Sequence, residues 1–219
     1  MSLPSVVWTL LLVLYLSFFA WYTSFGGPLS DDEIAHYVGI MEERGGRPEE
    51  IAELRAFLET DTGDDFAMLN VIEMRETPQQ IPGVTAGESS AEVLDRYMEY
   101  MYPALFSRAC HPVFFGQAAA AALDVWGIEN AERWTTGALM RYRSRRDMLE
   151  VATNPAFSGP HEFKVAAMNK TLAFPVDPWF HLGDPRLVLG LLALVVGLLV
   201  HGFEGHRRAT RRRREGDAA

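Results

Sequence analysis

A chain of 219 residues, 48% of them hydrophobic and one of them cysteine, with a formal net charge of −9, is long enough for one core of ordinary size. The single cysteine excludes an intrachain disulfide, and the acidic balance argues against nucleic acid as a partner. The charge is uneven: residues 204–219 carry six arginines against Glu204, Glu215 and Asp217, which leaves the rest of the chain at −12.

Residues 3–25 carry no charged side chain. At 1.5 Å per residue they extend about 35 Å, enough for a hydrocarbon core of about 30 Å. The stretch has no basic n-region and no small-x-small cleavage pattern, and Trp8, Trp21 and Tyr22 stand near its ends as interfacial aromatics do. Residues 1–29 are therefore expected to form an uncleaved transmembrane helix.

Residues 30–65 are expected to form a polar helical collar. Ser30 and Glu33 fit a capping box, Ile34, Tyr37, Val38 and Met41 make an apolar stripe, and Gly45-Gly46 ends the helix. Pro48 suits the first turn of a second helix, whose buried face is Ile51, Leu54, Phe57 and Leu58. Asp61-Thr62-Gly63-Asp64-Asp65 reads as a solvated turn, since its spacing is not that of an EF-hand.

Residues 66–180 are expected to hold the folded domain. Residues 68–74 alternate as a strand. Ser89 and Glu92 form a second capping box, ahead of the stripe Leu94, Tyr97, Met98, Met101 and Leu105. Residues 112–118 and 134–142 read as strands, and 118–122 are ambiguous because alanine favours helix. Ser144 caps a helix running to about residue 152, Asn154-Pro155 breaks it, a helix covers 161–170, and a last strand covers 171–176. The order β-α-β-β-α-β is the ferredoxin-like pattern, an α+β fold with both helices on one face of an antiparallel sheet. Its other face needs a cover, and a second copy is the simplest one.

Residues 187–203 form a second uncharged stretch apart from His201. A second transmembrane helix is expected over 181–205, with a basic tail over 206–219. Arginines at that flank, against Asp31, Asp32 and Glu33 after the first span, place both termini in the cytoplasm and the domain outside it, in the periplasm of a bacterial inner membrane. Membrane lipid is thus one expected partner.

Several residues carry the resemblance to a known family: Met68 to Glu73, the run Arg141-Tyr142-Arg143-Ser144-Arg145-Arg146-Asp147-Met148-Leu149, then Thr153 to Phe157, and residues 161–172. Here the chain resembles the dimeric α+β barrel superfamily, and within it a small, functionally uncharacterised branch with the pattern strand, R-Y-x-S-R, helix, P-x-[YF]. The resemblance implies the fold and a homodimer. It assigns Ser144 to capping, Pro155 to a kink and Phe157 to packing. The superfamily also includes cofactor-independent monooxygenases, isomerases and haem-binding members.

Polar groups able to face a sheet cavity are Asn70 or Glu73, His111, Gln117, and Arg141 or Tyr142. His111 is the best acid–base candidate, although its place after a helix suits satisfaction of the last carbonyls, which is the preferred reading. Arg141 can clamp a carboxylate, but a pair with Glu73 across the sheet comes first. Trp134 and Tyr142 can stack on an aromatic ligand or serve as core. Cys110 reads as a small core residue. The six histidines share no metal-ligand spacing, so neither metal nor cofactor is expected. The resulting expectation is a membrane-anchored periplasmic module for protein interaction or small-molecule binding, for instance an accessory subunit of a membrane complex. The alternatives are a cofactor-independent monooxygenase or isomerase acting on a small apolar or aromatic substrate, and a structural tether with no ligand.

Overall fold

A computed structural model describes residues 2–157, 159–179 and 181–216; residues 217–219 of the expected tail, and the Phe157 side chain expected to pack, lie outside what it describes. The chain forms two compact units, one of residues 23–178 and one of the terminal helices.

In the first unit, helix α2 (Asp31–Glu43) begins at the Ser30–Glu33 capping box and helix α3 (Pro48–Glu59) begins with Pro48 in its first turn. Strand β1 (Phe66–Met74) follows, then helix α4 (Ser90–Ser107), which starts from the Ser89–Glu92 capping box. Strands β2 (His111–Gln117) and β3 (Thr136–Tyr142) precede helix α5 (Arg145–Thr153), whose N-cap is Ser144. A 3-10 turn at Pro155–Phe157, helix α6 (His161–Ala167) and strand β4 (Met168–Val176) complete the domain. The last strand starts three residues before its expected position: Arg75 and Gln79 donate to the carbonyls of Ala167 and Ala166, which ends α6 early. The alanines at 118–122 do not form a helix. The amides of Ala118 and Ala122 bond to Thr135 and Glu132, so the hairpin ladder runs on past β2.

All strand pairs are antiparallel, in the order β2-β3-β1-β4. That is the ferredoxin-like βαββαβ arrangement. The pleat sends alternate residues to opposite faces. Tyr142 and Met140 pack under α4 with Met101 and Leu105, and Met74 packs with Val93, Phe163 and Ala166. By register, Phe66, Met68, Asn70 and Ile72 share that helix-covered face. The opposite face presents Ala67, Leu69 and Val71 of β1, Leu139 of β3, Phe114 of β2, and Leu172 and Phe174 of β4. Phe114, Leu172 and Phe174 are 60%, 43% and 42% exposed there.

The collar does not stand apart from the sheet domain. Ile34, Val38 and Leu58 share one core with Leu149 of α5, and the Phe57 ring meets Phe66 edge-on at 5.4 Å. The boundary expected between residues 65 and 66 thus runs through a shared core. The chain enters and leaves the unit at one end of the sheet. Val176 pairs with Ala67, Tyr142 pairs with Phe66, and just beyond Tyr142 the Arg146 guanidinium bonds the carbonyls of Gly27 and Pro28.

In the second unit, helix α1 (Leu3–Tyr22) and helix α7 (Pro185–Gly216) are each long and apolar enough to cross a membrane. They pack antiparallel. The rings of Trp8 and Tyr15 fill the spaces at Gly197 and Gly190, and Arg186 lies 5.5 Å from the Tyr22 ring. Seven residues separate both the two aromatics and the two glycines, the interval at which two helices in shallow contact meet again. Helix α7 continues through the arginines of the expected tail.

Candidate functional site

Arg141, Arg145 and Arg146 are fixed by carboxylates brought from elsewhere in the chain, and Arg143 by one in the first turn of α5. Arg141 is 4% exposed; its Nε donates to Asp65 Oδ2 at 2.8 Å and its Nη1 to the Ala109 carbonyl at 2.8 Å. The expected pair with Glu73 is overturned by register: Arg141 lies opposite Ala67, while Glu73 lies opposite Lys170 at the other end of β1. Arg143 forks onto Asp147, at 2.8 and 2.7 Å. Arg145 stacks 4.2 Å over the Phe57 ring, bonds the Phe57 carbonyl and faces Asp61 at 3.5 Å. Arg146 pairs with Glu33 at 2.6 Å. Its guanidinium and the Ser30 amide hold the Glu33 carboxyl down at about 2, from an ordinary 4.5.

The Asp61–Asp65 segment is solvated only in part, at Thr62 and Asp64. Asp61 accepts from the Leu29 amide at 2.9 Å and the Gly63 amide at 3.1 Å, and its side chain is 3% exposed. Gly63 has φ +82°, and a Cβ there would lie 2.7 Å from the Gly27 Cα, so only glycine fits this turn against the chain that enters the domain.

The residues singled out from the sequence fall into three places. His111 and Arg141 are register partners at the entry end of the open face. His111 begins β2, with Nδ1 3.0 Å from the Pro112 carbonyl, and Arg108 binds the α4 carbonyl of Ala104. Glu73 and Trp134 lie at the far end, about 20 Å along the strand. There Lys170 meets Glu73 at 3.4 Å and covers the Trp134 ring at 4.5 Å, and Asn169 donates to Glu73 at 3.0 Å. Asn70, Gln117 and Tyr142 point to the other face; Asn70 donates to the Met68 carbonyl and Tyr142 stacks on Phe66 at 5.3 Å. Cys110 is fully buried, and burial pushes its thiol up to about 11.

Two further groupings had no marker in the sequence. Tyr97 of α4 lies edge-on to His161 at 6.2 Å and under the Lys164 ammonium at 6.0 Å. Burial raises the Tyr97 hydroxyl, lowers the Lys164 amine and, with the Lys164 charge, lowers the His161 imidazole. The second is a polar cleft of about 550 Å³ between residues 23–26, the end of α4 and the start of α5. Among the described residues no group of three or more His, Cys, Asp or Glu could hold a metal ion.

No family model matches this chain, and no curated protein does. Among solved structures it is similar to the methylated RPA0582 protein, at 21% identity and a TM-score of 0.50, over 63% of this chain and 95% of that one; RPA0582 is a protein of unknown function from Rhodopseudomonas palustris. More distant are a dimeric ferredoxin-like protein of unknown function from Bacteroides fragilis, at 13% identity and a TM-score of 0.31 over 52% of this chain and 96% of that one, and SnoaB. The latter is a cofactor-independent oxygenase from Streptomyces nogalater, at 10% identity and a TM-score of 0.33 over 55% of this chain and 99% of that one. The likeness to RPA0582 is one of fold.

Proposed function

We propose that this protein is a membrane-anchored module of the periplasm that pairs with a second copy through its open sheet face and binds a protein or small molecule. The observation that carries the pairing is the row Phe114, Leu139, Leu69, Leu172 and Phe174, apolar side chains on the face opposite the helices. An exposed apolar face of this kind is stabilised by a partner, and a second copy offers the same face by symmetry. Anchoring is supported by α1 and α7, both apolar enough to span a bilayer, and by the shared end at which the chain enters and leaves the sheet domain. A hairpin insertion needs that arrangement. The mass of the full chain in mild detergent tests the pairing: a dimer is expected for the natural sequence and a folded monomer for Phe174→Glu. A monomeric natural protein sinks it.

A second reading is an enzyme that moves protons without a cofactor. It is supported by the convergence of Tyr97, His161 and Lys164, two basic groups beside a phenol, with the Lys164 amine held below its ordinary range by burial. Ligand-induced protection of α6 from hydrogen exchange, screened over small aromatic carbonyl compounds and lost in Lys164→Gln, would favour it. Binding unchanged by that substitution would remove it.

A further inference from the structure

We propose that the cleft beside residues 23–26 binds the headgroup of a zwitterionic phospholipid, with the phosphodiester on Arg108 and the ammonium on Glu150. This rests on α1 being a membrane span. Helix α1 ends at Tyr22, and the cleft wall starts at Thr23. The residues from Tyr22 to Gly26 reach at most about 14 Å, whichever way the chain turns. The headgroup layer outside the hydrocarbon core is about 5–8 Å deep. One wall of the cleft is therefore in that layer or a side chain's length from it.

The volume of about 550 Å³ is that of a small-ligand site. Guanidinium groups match phosphate oxygens in pairs. Arg108 gives Nε to Glu150 at 3.0 Å and Nη1 to the Ala104 carbonyl at 3.2 Å, which leaves its other donors unclaimed among the described residues. Thr23 Oγ1 is buried and has no hydrogen-bond partner there either, a state that asks for a ligand or water oxygen. The wall is keyed to the arginines: a Cβ on Gly26 would lie 2.7 Å from Arg146 Nη1.

Charge selects the headgroup. Arg143 faces Asp147 at 2.7 Å, Arg146 faces Glu33 at 2.6 Å and Arg108 faces Glu150 at 3.0 Å. A purely anionic headgroup meets these carboxylates as well as the arginines. A phosphate with an ammonium two carbons away meets both signs with its own.

The test uses the full chain in nanodiscs of equal phosphatidylethanolamine and phosphatidylglycerol, transferred to mild detergent, with retained lipid counted by native mass spectrometry. The natural protein is expected to keep phosphatidylethanolamine over phosphatidylglycerol. Arg108→Gln is expected to lower that retention roughly tenfold, the loss of one charge-assisted contact, and Glu150→Gln to erase the preference between the two lipids. Continued burial of Cys110 against a thiol reagent reports that each variant is folded. Equal retention of both lipids by the natural protein, or undiminished phosphatidylethanolamine on Arg108→Gln, overturns the site. Release of the chain from membranes by alkaline carbonate overturns the anchor reading, and the headgroup site with it.

Discussion

Arg141 and Asp65 are 76 positions apart in sequence and 2.8 Å apart in space, with the guanidinium almost wholly enclosed. Removing one member of such a pair strands the other in a poor solvent. Asp65→Ala is expected to destabilise the domain by about 3 kcal/mol, read as a lowered urea midpoint with an unchanged slope. Glu33 behaves differently because it titrates. Its folded-state value of about 2 lies below the ordinary 4.5, so the stability it adds is complete above about pH 4.5 and is lost as the pH falls toward 2. Protection of residues 29–34 from hydrogen exchange, measured against the intrinsic rate at each pH, should fall across that window, and Glu33→Gln should flatten the response. Cys110, raised by burial to about 11, is expected to resist thiol reagents at pH 8 until the domain unfolds, because the nucleophile is the thiolate. At this scale the sequence spoke clearly where partners are near neighbours, as in the Ser30–Glu33 and Ser89–Glu92 boxes. It was silent on Arg141, Arg145 and Arg146, since nothing in a run of arginines says which distant carboxylate each will meet. A Glu73 partner for Arg141 is plausible as a cross-sheet pair, but six residues of register separate them.

Elements were legible to the degree that a local pattern defined them. The alternation over residues 68–74, the stripe after Ser89 and the cap at Ser144 each produced an element in the expected place. The alanine run at 118–122, ambiguous by composition, forms no helix, because the Ala118 and Ala122 amides donate to the carbonyls of Thr135 and Glu132. Ser144 accepts from the Asp147 amide at 3.0 Å and donates to its carboxylate at 2.8 Å. Ser144→Ala is expected to lower domain stability by about 1–2 kcal/mol, measured by thermal unfolding. Helices α1 and α7 depend on the absence of side chains at two points. A leucine at Gly197 would occupy the place of the Trp8 ring. Gly197→Leu is therefore expected to separate the helix pair, seen as an earlier melt of the helical signal in detergent, while a leucine at Gly202, which has nothing within 4 Å of its Cβ position, leaves it unchanged.

For the molecule as a whole, composition and charge pointed to two apolar helices around an acidic domain, and the helices are there. Compartment depends on the proposed insertion, and a reporter fused at residue 123, on the far hairpin, is expected to be active only outside the cytoplasm. The candidate sites were less legible than the fold. His111, Arg141, Glu73 and Trp134 share a face yet sit at two ends of it, and Asn70, Gln117 and Tyr142 lie behind it. A strand's parity can be read from its residues, but which parity the helices will cover depends on how they return over the sheet.

The common end at which the chain joins and leaves the domain makes residues 23–178 a cassette. Such a unit can be lifted from one pair of helices and set into the loop of another without stretching either junction, and the same geometry lets changes in the helices accumulate without disturbing the sheet.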